Sequence, residues 1–88
     1  LVMIQRRLLE TAAEYVPSGG ILLYSTCTLN KEENEDNIRW FLKNHPDFTP
    51  LPVELGDYDH FQYTEEGFLT ILPGKTMDGF FISRVRKK

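Results

Sequence analysis

Ile21-Leu22-Leu23-Tyr24-Ser25-Thr26-Cys27-Thr28-Leu29-Asn30, with Glu32-Glu33-Asn34-Glu35 close behind, is the stretch from which this 88-residue chain is best read. Residues 21–27 form a nearly continuous apolar run that turns polar at its end. The run is too short for a helix, and its composition predicts a buried strand of the parallel type. Asn30 reads as a helix N-cap with Glu33 three residues on, and the neighbouring acids suit a helix amino terminus. The helix so opened is expected to run to about residue 44. Ile38, Phe41 and Leu42 supply its apolar stripe, Trp40 flanks the stripe, and Pro46 marks its end.

Upstream, Leu1, Ile4, Leu8, Leu9, Ala12, Tyr15 and Val16 recur at three- and four-residue spacing, with Gln5, Arg6, Arg7, Glu10 and Glu14 between them. This predicts an amphipathic helix, stopped by Pro17-Ser18-Gly19-Gly20. Downstream, residues 46–66 hold three prolines and a glycine among aromatics and acids without a sustained period, and read as a long irregular connection. Residues 68–72 and 79–85 then predict two strands joined by a turn at 73–78, an antiparallel pair. The order helix, strand, helix, strand, strand is that of an α/β sheet, yet one crossover makes only half of one. A leucine within a helix at position 1 agrees with a chain cut from a longer protein, so residues 1–88 are expected to be a single unit of a larger domain.

Composition narrows the function. The chain is 41% hydrophobic and 26% charged, as ordinary globular sequences are. A domain of this size buries only about 60 to 65% of its unfolded surface, which implies a modest core. No apolar run approaches the roughly 18 residues of a membrane span, so no membrane partner and a cytoplasmic location are expected. Cys27 is the only cysteine, which excludes an intrachain disulfide and a cysteine-based zinc site; no metal is expected. A net charge of −3 argues against gripping nucleic acid by bulk electrostatics. Acids gather at Glu32, Glu33, Glu35 and Asp36, while Arg84, Arg86, Lys87 and Lys88 form a basic end that reads as a solvated terminus.

The block Leu22-Leu23-Tyr24-Ser25-Thr26-Cys27-Thr28-Leu29 with Glu32-Glu33-Asn34-Glu35 resembles the cysteine motif of the NOL1/NOP2/sun RNA methyltransferases. Thr28 stands where that family more often has serine. Gln5 and Leu9, Gly19-Gly20, Leu72-Pro73 and Asp78-Gly79-Phe80-Phe81 also fall where the family places similar residues. The resemblance implies the carboxyl-terminal part of a Rossmann-like, class I S-adenosylmethionine-dependent methyltransferase domain, with residues 20–26 as its fifth strand and the closing pair as its sixth and seventh. It further implies that the parent enzyme forms 5-methylcytosine in small-subunit (16S) ribosomal RNA, with Cys27 as nucleophile. In open α/β sheets chemistry sits at the carboxyl ends of strands, where Cys27 is expected.

Carbon 5 of cytosine is a poor nucleophile, so covalent help is needed. A thiolate adding to carbon 6 creates an enamine whose carbon 5 can attack the methyl of S-adenosylmethionine, and loss of the carbon 5 proton then expels the thiolate. A helix amino terminus shortly after Cys27 favours the thiolate, and the acids at 32, 33, 35 and 36 oppose it. Taken alone, a single cysteine reads as a small buried hydrophobe; the matching block reverses that reading. His45 and His60 could pair with Cys27 as a base, but as surface or turn histidines they need no such role. Ser25 and Thr26 most simply satisfy backbone groups, and Glu33 and Asn34 most simply cap the helix and hold the cysteine loop. Phe80 and Phe81 could face a target base, although adjacent strand residues point to opposite faces and usually serve the core. The competing reading is a noncatalytic α/β module that holds a protein partner through the aromatic and acidic loop around Tyr58, Phe61 and Tyr63.

The resemblance places the S-adenosylmethionine site upstream, on a glycine-rich turn after a first strand; neither Gly19-Gly20 nor Pro73-Gly74 lies between a strand and a following helix. A strand at 20–26 without a parallel neighbour leaves a hydrophobic edge, and self-association of the isolated piece is expected. The 88-residue chain by itself is expected neither to methylate RNA nor to bind S-adenosylmethionine. Transfer of labelled methyl groups to ribosomal RNA by this polypeptide alone would refute that.

Overall fold

The computed structural model describes residues 1–74 and 78–88; the central part of the expected turn at 73–78 lies outside the described residues. The elements run α1 (Val2–Glu14), β1 (Ile21–Thr26), α2 (Glu35–Asn44), β2 (Phe48–Pro50), β3 (Phe61–Tyr63), β4 (Leu69–Ile71) and β5 (Phe80–Lys87). The last strand organises the sheet. β5 pairs antiparallel with β1 along one side, Ile21 opposite Arg86 through Thr26 opposite Phe81. On its other side β5 pairs with β4 over its first half and with β2 over its second. β3 extends the sheet beyond β4.

The expected closing pair is therefore present, as β4 and β5. The segment read as irregular contributes two short strands besides. β1 and β2 both run antiparallel to β5 and so run parallel to each other, which makes β1-α2-β2 a crossover unit with β5 inserted between its strands. β2 has three residues and contains Pro50. Such a short edge strand carries too little alternation to be seen in sequence.

One sheet face carries the core. Leu22, Tyr24, Phe81, Val85 and Phe48 meet Leu9 and Ala13 of α1 and Ile38 and Phe41 of α2, with Phe68 beneath. Phe41, Phe68 and Phe81 have no exposed surface, and each contributes about 1.5–3 kcal/mol by burial. Phe81 meets Tyr24 and Phe68 edge-on, with ring centroids 6.4 and 6.3 Å apart. Phe41 packs likewise against Phe48 at 5.1 Å. The opposite face is covered over β4, where Leu69 and Val53 are buried, but not over β1.

Four expectations need correction. β1 is not a strand buried on both faces: Ile21 is 48% and Leu23 54% exposed, and its strand partner is the antiparallel β5. α1 is amphipathic, but Leu1, Ile4, Leu8 and Tyr15 of the expected stripe point outward, and Leu9 and Ala13 are the buried pair. The helix is rotated because Gln5 and Arg6 are drawn inward by hydrogen bonds to Glu33 and Asn37. α2 starts at Glu35, not just after Asn30, because Asn34 has φ −105° and ψ −104°, outside the helical region. The basic end is no free tail. Gly19 N–H donates to Lys87 O and Lys87 N–H to Gly20 O, while Lys87 Nζ donates to Val16 O and Arg84 to Pro52 O.

α2 is tied to the turn before β4 by Arg39, whose Nε and Nη2 reach the two carboxylate oxygens of Glu66 at 2.7 and 3.1 Å. The Arg39 hydrogen bond is the main cause that lowers the Glu66 carboxyl to about 2. A lowered carboxylate pKa stabilises the fold above the unfolded value and loses that contribution as pH falls toward the folded one. Both partners are partly exposed, so the pair contributes at most about 1 kcal/mol, present above about pH 4.5 and gone near pH 2. Glu66→Gln is expected to shrink the stability lost between about pH 6 and about pH 2.5, measured by urea unfolding; an undiminished loss would show the pair to be energetically idle.

Candidate functional site: the cysteine turn after β1

The pairing of β1 with β5 sets the end of one strand beside the start of the other, because Thr26 lies opposite Phe81. Cys27 follows at a bend, exposed, with no disulfide. A second buttress comes from Gly79, whose missing Cβ would sit 2.6 Å from Leu29 Cδ2, so that only glycine lets the cysteine turn close on β5 without a shift.

Four side chains, those of Thr26, Thr28, Asn30 and Asn34, shape this turn and the one after it. The Thr26 hydroxyl donates to Asn34 Oδ1, and Asn34 Nδ2 donates to Thr28 O at 2.8 Å. The Thr28 hydroxyl accepts from Asn30 N–H at 3.1 Å, a bond that serine could also make, so the departure from the family's usual residue leaves it intact. Asn30 in turn accepts Glu32 N–H through Oδ1 at 2.9 Å and donates Nδ2 to Glu33 Oε2 at 3.1 Å. Asn30 thus caps as expected, but what it caps is a separate turn at 31–34, with the regular helix beginning later. The helix amino terminus thus comes further along the chain from Cys27 than the sequence suggested.

Behind the turn lies a buried polar network. Asn37, with no exposed surface, donates Nδ2 to Gln5 Oε1 at 2.9 Å and to Tyr24 Oη at 3.2 Å, and accepts Arg6 Nε through Oδ1 at 2.9 Å. Gln5 Nε2 donates to Glu33 Oε1 at 3.0 Å, and Tyr24 Oη donates to Glu33 O at 2.5 Å. Burial raises the Tyr24 phenol above its ordinary value; the Asn37 bond opposes this and the Glu33 charge adds to it, which keeps the proton Tyr24 donates. Arg6 also lies 4.6 Å over the Trp40 ring. The network joins α1, β1 and α2 directly behind the cysteine turn.

The other candidates are placed apart. His45 ends α2, stacks on Phe41 at 4.3 Å and faces Glu10 at 3.6 Å. His60 packs against Phe61 and Tyr58 next to β3. Ser25 is exposed opposite Ile82. Phe81 is core and Phe80 is partly buried on the other face, as strand alternation requires. Asn34 holds the cysteine loop, as read. Asn37, Arg6 and Tyr24 were missed as a group, although Asn37 beside Ile38 and one turn before Phe41 sits on the apolar stripe of α2 and could have been flagged there.

Among the described residues no group of three or more His, Cys, Asp or Glu could hold a metal ion. The glycines with positive φ are Gly19, Gly56 and Gly67, and none lies between a strand and a following helix. The described residues therefore do not fit a nucleotide cradle of the strand-turn-helix kind. No helix among them is long and apolar enough to cross a membrane.

This α/β unit, with its antiparallel last strand inserted between β1 and β2, has the architecture of part of a methyltransferase domain, as comparison with a solved structure shows. A solved methyltransferase homolog from Pyrococcus horikoshii aligns with TM-score 0.83 and 37% identity, over 99% of this chain and 31% of that one. Residues 1–86 match the 16S rRNA methyltransferase RsmB/F family, and the chain belongs to that family. It is 45% identical over 87 residues to ribosomal RNA small subunit methyltransferase F of Escherichia coli O157:H7, covering 94% of this chain and 18% of that protein. It is 44% identical to a probable ribosomal RNA small subunit methyltransferase B of Synechocystis, over 99% of this chain and 20% of that protein. The chain thus spans about a fifth of the length of the curated relatives it matches.

Asn37→Ala leaves Gln5, Tyr24 and Arg6 without a shared partner in a buried site. A loss of about 1–3 kcal/mol in urea unfolding of the 88-residue chain is expected; a change below about 0.5 kcal/mol would mean that the network contributes nothing to the fold.

Proposed function

We propose that this chain is the cysteine-bearing segment of a longer S-adenosylmethionine-dependent enzyme that forms 5-methylcytosine in small-subunit ribosomal RNA. Cys27 is its nucleophile. The observation that carries the reading is the exposed thiol at the carboxyl end of β1, held in a turn that α2 and β5 brace from two sides, in a chain of this family. A structural cysteine serves by packing into a core, which the exposed Cys27 does not do.

In the proposed chemistry the Cys27 thiolate adds to carbon 6 of the target cytosine, forming a carbon–sulfur bond and pushing electron density to carbon 5. S-adenosylmethionine, held by parts of the enzyme outside this chain, supplies the methyl group. Once carbon 5 is methylated, its proton leaves to a base and the carbon 6–sulfur bond breaks, returning the thiolate and the aromatic ring. A sulfur nucleophile suits both addition and departure. His45 and His60 take no part, since each is engaged elsewhere. RNA is bound mainly by the rest of the enzyme, in keeping with a chain of net charge −3.

The exposed β1 residues Ile21 and Leu23, the groove between Leu8, Ala12 and Leu22, and the open edge of β1 are the surface on which the rest of the domain sits. The same edge gives the isolated chain its route to self-association. The family favours the enzyme over a noncatalytic module built on Tyr58, Phe61 and Tyr63, although those rings do form a continuous cluster, Tyr58 to Phe61 at 5.1 Å and Phe61 to Tyr63 at 6.5 Å.

The deciding experiment incubates the full-length enzyme carrying this segment, and its Cys27→Ala variant, with S-adenosylmethionine and a small-subunit ribosomal RNA containing 5-fluorocytosine. Fluorine at carbon 5 blocks the final elimination and traps the adduct. A covalent band on a denaturing gel that disappears in Cys27→Ala is expected; a band surviving in the variant would assign the nucleophile to another cysteine.

A further inference from the structure

We infer that Asn34 is a positioning residue for methyl transfer, tying the Thr26 hydroxyl to the Thr28 carbonyl across Cys27; the inference rests on the reading of Cys27 as nucleophile. The Asn34 side chain is 1% exposed. A carboxamide buried at that depth is costly unless both of its ends are used. Here Oδ1 accepts the Thr26 hydroxyl and Nδ2 donates to Thr28 O at 2.8 Å. Residues 26 and 28 flank Cys27 and nothing else. The amide is therefore fitted to the shape of the three-residue turn rather than to the core, whose polar contacts are served by Asn37.

The orientation of the amide follows from chemistry. The Thr28 carbonyl can only accept, so the nitrogen of Asn34 must face it and the oxygen must face Thr26. The Thr26 hydroxyl is then bound to donate, to Asn34 Oδ1 and more weakly to Thr28 O at 3.4 Å. No other side chain meets both requirements at this length: aspartate would set a second acceptor against the Thr28 carbonyl, and leucine would leave both groups unpaired. The start of α2 does not need this side chain, because it is the backbone Asn34 O that accepts Ile38 N–H, at 3.2 Å, and the side chain makes no capping bond. What the amide fixes is the path of residues 26–28, and with it the direction in which Cys27 leaves the end of β1.

A nucleophile must approach carbon 6 along a narrow line, and a misplacement of about 1 Å can cost about 100-fold in rate. Releasing the turn should therefore lower kcat, with KM for RNA and for S-adenosylmethionine nearly unchanged, because neither is gripped by Asn34.

The test uses full-length enzyme and measures kcat and both KM values on small-subunit ribosomal RNA for wild type, Asn34→Ala, Asn34→Asp, Thr26→Val and Thr26→Ser. Cofactor binding and Tm serve as controls for folding. Expected are kcat values about 10- to 100-fold lower for Asn34→Ala, Asn34→Asp and Thr26→Val, with KM values within about twofold of wild type, and recovery of most of the Thr26→Val loss in Thr26→Ser. If Asn34→Ala does not fold, the Thr26 pair decides by the same criterion. Wild-type kcat in the folded Asn34 and Thr26→Val variants, or a loss confined to KM, would overturn the proposal. Cys27→Ala, run alongside, separates the two ideas: residual methyl transfer there removes Cys27 as nucleophile, whatever the Asn34 variants do.

Discussion

The antiparallel pairing of β5 with β1 is the contact on which the rest of the molecule hangs. β5 is bonded along both sides, to β1 on one and to β4 and β2 on the other, so the final eight-residue strand closes a sheet begun some sixty residues earlier. Closing so long a loop is entropically costly. The return is a continuous core face on which Phe81 and Val85 meet residues of both helices. The same register brings Gly79 against Leu29 and thereby sets the end of β1, where Cys27 stands, against the entrance of β5.

A second constraint is polar. Asn34 and Asn37 lie three residues apart at the start of α2, both buried, yet they serve different ends. Asn37 faces α1 and β1 and joins Gln5, Arg6 and Tyr24 into the core, while Asn34 faces the turn and joins Thr26 to Thr28. An apolar pair would pack these positions at lower desolvation cost. Two amides instead specify one rotation of α1 and one path for the turn, since a buried amide tolerates few alternative partners. The rigid end of β1 is built from this pair and from the Leu29–Gly79 contact.

The two sheet faces differ for a related reason. Helices cover one face, and the segment from Leu51 to Val53 is held near β4 and β5 by Leu51 N–H on Arg84 O and Val53 N–H on Gly67 O. Among the described residues nothing plays that part beside β1, and Ile21, Leu23 and Leu8 are left exposed. In relatives about five times as long there is ample chain to cover them. On the proposed reading the apolar character of β1 serves a larger sheet, which accounts for a strand that reads as fully buried and is half-exposed here.

The sequence by itself determined the local elements and marked out the block around Cys27. The period of residues 38–42, the apolar run at 21–24 and the alternation in 79–85 are short-range properties, and each produced its element within a few residues of the expected bounds. The cysteine block could be read because Cys27, its strand and the start of α2 lie within the fifteen residues 21–35. Tertiary structure decided what depends on distant partners: the rotation of α1, fixed by Gln5 and Arg6 bonding residues some thirty positions away; the weaving of the basic end into the sheet; and the three-residue strands β2 and β3, which exist because β5 and β4 offer them main-chain partners. Periodicity reports which faces of a segment are apolar. It cannot report which polar groups will find partners once the chain has closed, and in this molecule those partners decide where the helix turns and how the cysteine is held.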